Sequence, residues 1–284
     1  MQNRVCLVTG ANSGIGKVTA QELSKQGATV LMACRSREKG ERALEEIRAQ
    51  DKNEDLHLFV ADLSIQAEIR RLAGEIKAGF PRIDVLVNNA GGINPTMVLT
   101  RDGLETTFAV NHLSYFLLTN LLLEHLEASP APRIVNVSSE AHKYGTIGFD
   151  DLGLEKRYNT TKAYAQSKLA NILFTYELAR HLSNQKITVN TLHPGAVNTN
   201  FGKNLQGIAG FFFRSCGFLM RSPAKGAETV IWLATAPELN GVSGKYFFDK
   251  KEIRSSKISY DADVARTLWD ISDRLTGREQ DKNQ

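Results

Sequence analysis

The sequence predicts an α/β fold in which a parallel sheet is covered by helices on both faces. Short runs rich in Val, Ile and Leu alternate along the 284 residues with longer stretches that have helical periodicity. Several of the short runs are apolar on both sides, as strands buried beneath two layers of helices must be. No repeat, low-complexity tract or linker divides the chain, so we expect a single domain.

The pattern predicts seven strands and seven helices. The predicted strands are residues 4–9, 29–33, 56–60, 85–87, 133–137, 188–192 and 245–248. The predicted helices are residues 14–26, 37–50, 65–78, 103–127, 162–183, 224–235 and 261–275. Asp261 is a suitable N-cap for the last helix, and Gly277 follows it as a stop signal.

Composition excludes several classes of protein. The formal charge of +4, with 42% apolar and 23% charged residues, is ordinary for a soluble globular protein and argues against nucleic-acid binding. Three scattered cysteines are typical of a reduced, cytoplasmic protein. None of the six histidines has metal-ligand spacing, so no metal site is expected, and His112 and His193 are expected to be packing or surface groups.

No membrane-spanning segment is expected. The first strand begins almost at the first residue, which leaves no room for a leader or an apolar anchor before it. The most apolar stretch, residues 207–220, is too short to span a bilayer and contains Arg214. Peripheral contact with a membrane and assembly into a homo-oligomer stay open.

A glycine-rich turn lies where the first strand meets the first helix. Glycine allows a tight turn and lets backbone amides approach a pyrophosphate, while the helix N-terminus adds free N–H groups and partial positive charge. The glycine spacing Gly-x-x-x-Gly-x-Gly differs from the Gly-x-Gly-x-x-Gly fingerprint. The interpretation therefore depends on the position of the glycines directly after the first strand. The turn predicts a dinucleotide site at residues Gly10, Asn12, Ser13, Gly14, Ile15 and Gly16.

The end of the second strand favours NADP(H) over NAD(H). An acidic residue there would hold the ribose 2′-hydroxyl, whereas an arginine accommodates a 2′-phosphate. This chain has Arg35 and no acid at that place. A guanidinium pairs with phosphate in a bidentate way that an ammonium cannot. Lys17, Arg37 and Lys39 either add charge to this site or are solvated.

Two further strand ends carry candidate cofactor contacts. Asp62 and Leu63 follow the third strand, at the edge where ligands bind in such sheets. Asp62 could accept a hydrogen bond from an adenine amino group, or cap the next helix, or do both. After the fourth strand, Asn89, Ala90 and Gly91 combine an amide that locks turns with small residues that leave room for a ribose.

Tyr164 and Lys168 form the strongest candidate for acid–base chemistry. Residues four apart share one face of a helix, so the ammonium lies one turn from the phenol. A phenol has a pKa of about 10, and a nearby cation lowers it towards the working range. The pair therefore indicates a site for interconverting a carbonyl and an alcohol.

These motifs together resemble the short-chain dehydrogenase/reductase family. The resemblance extends from residue 9 to residue 199. The chain is most similar to the retinol dehydrogenase-type branch, in segments such as Ala33-Cys34-Arg35-Ser36 and Val110-Asn111-His112-Leu113. It implies a Rossmann-type, doubly wound sheet of about seven parallel strands. The cofactor half would be about residues 1–130, and the catalytic and substrate half about 131–284.

The resemblance also implies a role for each catalytic residue. Tyr164 would exchange a proton with the substrate oxygen, and Ser139 would hydrogen-bond that oxygen. Lys168 would bind the nicotinamide ribose and lower the pKa of the tyrosine. Asn111, within a long helix, would hold a water in the proton path. The nicotinamide ring would be oriented by Pro194, Val197 and Thr199, and Gly195 of the same loop would also contact the cofactor.

The implied activity is NADP(H)-dependent interconversion of an apolar aldehyde or ketone with its alcohol. Retinal-like aldehydes, steroids and xenobiotic carbonyls are the candidate substrates. The apolar residues 207–220 could fold over the nicotinamide, contact another subunit or lie on a membrane. The alternatives to this activity are a low-turnover NADP(H)-binding regulatory or scaffold protein and an enzyme that reduces carbon–carbon double bonds.

Overall fold

One sheet of eight strands organises the molecule. The computed structural model describes residues 1–51, 53–197 and 220–278. The strand order is β3-β2-β1-β4-β5-β6-β7-β8, and every neighbouring pair is parallel except β7 and β8. The strands are β1 (Val5–Thr9), β2 (Thr29–Cys34), β3 (Leu56–Val60), β4 (Val85–Asn88), β5 (Arg133–Val137), β6 (Thr188–Leu192), β7 (Tyr246–Phe248) and β8 (Lys251–Glu252).

Helices cover both faces of this sheet. They are α1 (Gly14–Lys25), α2 (Arg37–Arg48), α3 (Gln66–Gly79), α4 (Thr106–Phe108), α5 (Ser114–Glu127), α6 (Thr160–His181), α7 (Pro223–Thr235) and α8 (Ala262–Leu275). Apolar side chains of α1, α2 and α7 form the core on one face, and those of α3, α5 and α6 form it on the other. Helix α8 packs on α6. The predicted doubly wound α/β domain is thus confirmed.

The sheet has one strand more than the sequence predicts. Strand β8 pairs antiparallel with β7 across a two-residue turn, Asp249 and Lys250. Both turn residues have positive φ angles, 48° and 60°. Such turns usually use Asn and Gly. Because this turn lacks that signature, the sequence pattern did not reveal the hairpin.

The predicted helix at residues 103–127 is replaced by three successive segments. Gly103 has φ of +75° and belongs to a turn, and Glu105 caps α4 by accepting from the amides of Thr107 and Phe108, each at 2.7 Å. A π-helical segment, Ala109–Leu113, then leads into α5. π-Helical turns occur frequently at functional sites, and this one contains Asn111.

The chain reverses its direction of winding at β1. Strands β2 and β3 extend the sheet on one side, and β4 then returns to the other side of β1. Ligands bind beyond the carboxyl ends of the strands at such a switch point. Within residues 1–51, 53–197 and 220–278, no helix combines the length and apolarity needed to cross a bilayer.

Candidate active site

The glycine turn packs directly against the loop that follows β4. Gly10 has φ of +68°, a conformation that side chains disfavour. A Cβ at Gly16 would lie 2.5 Å from the Asn89 Nδ2 atom and 2.9 Å from the Gly10 carbonyl carbon. Both distances are too short for a real Cβ atom, so the turn can pack this closely against α1 only because residue 16 is glycine. The Gly10 and Ala11 amides donate to the Ala33 carbonyl at 2.8 and 3.3 Å, so the start of the turn is tied to β2 at the carboxyl edge of the sheet.

The first turn of α1 keeps its backbone donors free of side-chain caps. Ser13 is the N-cap residue, yet its hydroxyl accepts no hydrogen bond from the helix. By contrast, the N-caps of α2, α6 and α7 each accept from an amide three residues later. Uncapped amides at a helix N-terminus attract an anion. Asn12, Ser13, Gly14 and Ile15 thus lie where a pyrophosphate would fit.

Thr9 joins the ends of β1 and β4. Its Oγ1 accepts from the amides of Asn89 at 2.9 Å and Ala90 at 3.0 Å, and donates to the Val87 carbonyl. The Asn89 side chain donates to the Thr9 carbonyl at 2.8 Å. Sequence reasoning did not assign Thr9 a role, although its place at the start of the glycine motif is a usable signal.

Arg35 extends into solvent just beyond β2. It is exposed and has no ion-pair partner among the described residues. Two neighbouring cations form ion pairs with carboxylates: Lys17 pairs with Glu46, and Arg37 pairs with Glu41 at 3.4 Å. Of these three cations, Arg35 is therefore the one whose charge is not offset by a protein carboxylate.

Asp62 serves the turn before α3. One carboxylate oxygen accepts from the Ser64 amide at 2.9 Å, while the Asp62 amide donates to Glu68 at 2.7 Å. No described residue occupies the second oxygen. Leu63 beside it is buried. The N-cap position of α3 is Ile65, so the expectation that Asp62 caps this helix is wrong, and its contact with adenine stays a prediction.

Helix α6 carries Tyr164 and Lys168 beneath the end of β5. The Lys168 Nζ atom donates to the Val137 carbonyl at 3.1 Å and lies 5.7 Å from the centre of the Tyr164 ring. A hydrogen bond joins the side chains of Tyr164 and Ser139. Ser138 instead donates to the Lys168 carbonyl at 2.7 Å, which excludes it as a rival to Ser139. The structure thus brings serine, tyrosine and lysine together.

Burial dominates the ionisation of this group. It raises the pKa of Tyr164 to about 12, with the Ser139 hydrogen bond acting in the opposite direction. Burial also lowers the pKa of Lys168 to about 7. The expectation that Lys168 lowers the tyrosine pKa is not met by the protein's groups alone, since desolvation penalises both charged forms. At neutral pH the phenol carries its proton.

Asn111 joins the loop after β4 to α6. Its amide nitrogen donates to the Gly92 carbonyl and to Ser167 Oγ, both at 2.9 Å, and its oxygen accepts from the Gly92 amide at 2.8 Å. Both N–H groups are used, so the side chain could hold a water only through its remaining oxygen lone pair. Ser167 in turn donates to the Tyr164 carbonyl at 2.8 Å.

Gly91 faces the two polar side chains behind the phenol. A Cβ added there would lie 3.1 Å from Asn111 Oδ1 and 3.5 Å from Lys168 Nζ. The small residue therefore keeps space open directly in front of the lysine. A ribose hydroxyl would fit in that space within reach of the ammonium.

His142 holds the backbone of Ser139, a contact that sequence reasoning missed. The imidazole is fully buried. Its Nε2 accepts from the Ser256 amide at 3.1 Å, which leaves Nδ1 as the donor to the Ser139 carbonyl at 2.8 Å. Burial lowers the pKa of His142, so this neutral form persists at physiological pH. Ser256 is too distant in sequence for any local pattern to reveal its contact with His142.

The loop after β6 lies at the same edge. Pro194 and Gly195 are half-buried, and Val197 forms an isolated parallel bridge with Arg221. A Cβ at Gly226 on α7 would lie 2.7 Å from Val197 and 3.3 Å from Ile15, so these elements pack closely. Thr199 and residues 207–219 of the predicted apolar segment lie outside the described residues, as does Cys216.

Other candidates have structural explanations. The Tyr158 hydroxyl donates to the Asn94 carbonyl at 3.1 Å. His112 is buried against Ser272 at 3.0 Å, and His193 stacks on Phe248. Across residues 1–51, 53–197 and 220–278 there is no group of three or more His, Cys, Asp or Glu that could hold a metal ion.

The fold and this edge define the class of protein. A doubly wound sheet with an uncapped helix at its switch point and a serine–tyrosine–lysine group beside it is the arrangement of a nucleotide-dependent oxidoreductase. The chain belongs to the short chain dehydrogenase family, whose model matches residues 4–207. Members of this family use NAD(P)(H).

Known proteins resemble the chain over most of its length. Retinol dehydrogenase 14 of Homo sapiens is 44% identical, and the match covers 98% of this chain and 87% of that protein. A crystal structure of an uncharacterized Mycobacterium paratuberculosis protein has a TM-score of 0.77 at 34% identity, covering 97% of this chain and 94% of that one. The Pseudomonas aeruginosa RhlG/NADP active-site complex has a TM-score of 0.70 at 27% identity, covering 87% and 94%.

Proposed function

We propose that this protein is an NADP(H)-dependent oxidoreductase that interconverts an apolar aldehyde or ketone with its alcohol. The observation that carries the proposal is the shared hydrogen bond of Tyr164 and Ser139, with Lys168 buried behind the phenol. Two hydroxyl donors at one point suit a carbonyl oxygen, which accepts two hydrogen bonds. The similarity to retinol dehydrogenase 14 supports the reaction class.

The residues at the edge of the sheet fit the cofactor. The uncapped amides of α1 suit a pyrophosphate, Arg35 suits a 2′-phosphate, and the open space at Gly91 suits the nicotinamide ribose. When bound, the nicotinamide supplies the hydride in reduction and accepts it in oxidation. The remaining proposed cofactor contacts are Gly10, Asn12, Ser13, Gly14, Ile15, Gly16, Asp62, Leu63, Asn89, Ala90, Tyr164, Lys168, Pro194, Gly195, Val197 and Thr199.

Tyr164 supplies the proton in reduction. Its pKa of about 12 keeps the phenol protonated at neutral pH, so the proton is present for transfer to the substrate oxygen. The resulting phenolate needs a cation close by. Lys168 would be that cation: its Nζ atom lies 5.7 Å from the centre of the Tyr164 ring, and a phenolate there would favour the protonated form of the amine. Ser139 donates to the same oxygen and fixes its position.

Exposed apolar side chains near the site suit an apolar substrate. Tyr144 is 81% exposed in the segment directly after Ser139, and Val98 and Leu99 are about half exposed in the loop after β4. We propose that both segments form walls of the substrate pocket. We therefore propose retinal-like aldehydes, steroids or other apolar carbonyls as substrates.

Replacing Tyr164 with Phe tests the proposed chemistry. The change removes the proton donor and keeps the ring, so turnover of a good carbonyl substrate should fall by on the order of 10² or more. The matched control is Tyr158→Phe, which removes a hydroxyl bound to the Asn94 carbonyl and should leave turnover within a few fold. Full turnover by Tyr164→Phe with an active substrate contradicts the proposal.

A substrate panel separates the other two functions. Wild-type protein would be assayed with NADPH and apolar aldehydes, ketones, quinones and enones. Tight NADPH binding without oxidation across the panel would favour a regulatory or scaffold protein. A saturated carbonyl product from an enone would identify double-bond reduction. We place the protein in the cytoplasm as part of the same proposal, and cell fractionation tests that location.

A further inference from the structure

Arg221 lies flat against the loop that follows β6. Its amide donates to the Ala196 carbonyl at 2.8 Å, and its backbone bridges Val197. Gly195 has φ of +80°, and a Cβ there would lie 2.9 Å from both Cδ and Nε of the arginine. The guanidinium end of Arg221 thus occupies the space that a side chain at position 195 would need.

Asp249 and Phe248 hold the other side of the guanidinium. Asp249 pairs with both terminal nitrogens, one of them at 2.8 Å, and the Phe248 ring centre is 4.6 Å from the guanidinium carbon. Asp249 has φ of +48°, and the Lys250 amide is tied to Thr229 Oγ1 at 3.2 Å. The left-handed backbone costs about 1 kcal/mol or more, so surrounding contacts must maintain this turn.

Phe248 connects this group to the start of the same loop. Its ring stacks on His193 at 4.1 Å with an interplanar angle of 8°. Burial lowers the pKa of His193 to about 4, so the stacked ring is neutral at pH 7. His193 immediately precedes Pro194. The loop is therefore held at His193 by stacking and at Gly195–Val197 by Arg221.

We propose that Arg221 is a positioning residue that sets the loop Pro194–Val197 against the nicotinamide end of the cofactor. The inference rests on the proposed function, which assigns that loop to the nicotinamide. The bridge between Val197 and Arg221 also fixes the two points of the chain that flank residues 198–219. An ion pair this exposed contributes little stability by itself, so its effect should be on geometry.

Two ligands distinguish positioning from general stability. NADP+ contains the nicotinamide end, whereas adenosine 2′,5′-bisphosphate contains only the adenosine and 2′-phosphate end. Binding of each to wild type, Arg221→Gln and Asp249→Asn would be measured by isothermal titration calorimetry. We expect Arg221→Gln to weaken NADP+ about 3- to 30-fold, the range for residues that couple to a site without touching the ligand. Binding of the bisphosphate should stay within twofold.

Further variants complete the test. Asp249→Asn should also weaken the binding of NADP+ and leave the binding of the bisphosphate unchanged. The double variant should bind NADP+ no more weakly than Arg221→Gln does, because the two residues act as one unit. Lys245→Gln is the matched control, since it breaks the exposed Lys245–Glu252 pair at 3.0 Å on the same hairpin and should change neither affinity.

Each outcome bears on a different claim. Equal losses for both ligands, or no loss for either, overturn the positioning role of Arg221. If Arg221→Gln fails to fold, Asp249→Asn decides the question by the same comparison of ligands. Wild-type protein that binds neither ligand contradicts the proposed function itself, and the inference falls with it.

Discussion

Lys168→Met should make the protein more stable at neutral pH when it is studied without added cofactor. Lys168 is only 4% exposed, and among the described residues its ammonium has one hydrogen-bond partner, the Val137 carbonyl. Burial lowers its pKa from 10.5 to about 7. At about 1.36 kcal/mol per pKa unit, burying the charged ammonium in the folded protein at low pH lowers the free energy of unfolding by on the order of 4 to 5 kcal/mol.

The pH dependence has a definite sign. Below pH 7 the lysine is protonated in both the folded and the unfolded protein, so the full penalty is present. Between pH 7 and 10.5 the unfolded chain keeps a proton that the folded protein has lost, and the free energy of unfolding rises with pH. From pH 7 to pH 9 wild type should gain about 2 kcal/mol relative to Lys168→Met.

Urea unfolding followed by circular dichroism at pH 7 and pH 9 measures this difference. Cys6, whose pKa burial raises to about 12, lowers stability above pH 9 in both proteins and therefore cancels. Lys186→Met, at an exposed lysine before β6, is the control and should show no such pH-dependent difference. A constant difference between wild type and Lys168→Met across the two pH values would refute the claim that burial shifts this lysine.

Three other predictions follow from the contacts of the site. Arg35→Asp should weaken NADPH about tenfold or more in fluorescence titration and change NADH far less, because a charge-assisted phosphate contact is lost; equal losses would exclude Arg35 from the 2′-phosphate. His142→Phe should lower kcat about tenfold with little change in KM, since the Ser139 backbone loses its donor; unchanged kcat would exclude this role. Gly16→Ala should destabilise the fold by about 1–3 kcal/mol in urea unfolding, whereas Gly74→Ala, with nothing within 4 Å of the added Cβ, should not.

Several features of the site could be predicted because they depend on nearby residues. The glycine turn after β1, the position of Arg35 after β2 and the one-turn spacing of Tyr164 and Lys168 all follow from strand and helix periodicity. The structure places these residues at one edge because parallel strands end on the same side of the sheet. The predicted start of the helix at residues 103–127 was wrong, because Gly103 lies in a turn and Glu105 is a helix cap, and apolar periodicity shows neither.

The sequence by itself determined the α/β class, the order of the elements and the types of residue at each strand end, because local periodicity and turn chemistry encode them. Only the tertiary structure decided the ionisation of Tyr164 and Lys168, since desolvation depends on what packs around a group. It also decided the contact of His142 with Ser256 and that of Arg221 with Asp249. Those contacts join segments that are far apart in the chain, and no local pattern specifies which distant backbone or side chain will meet them.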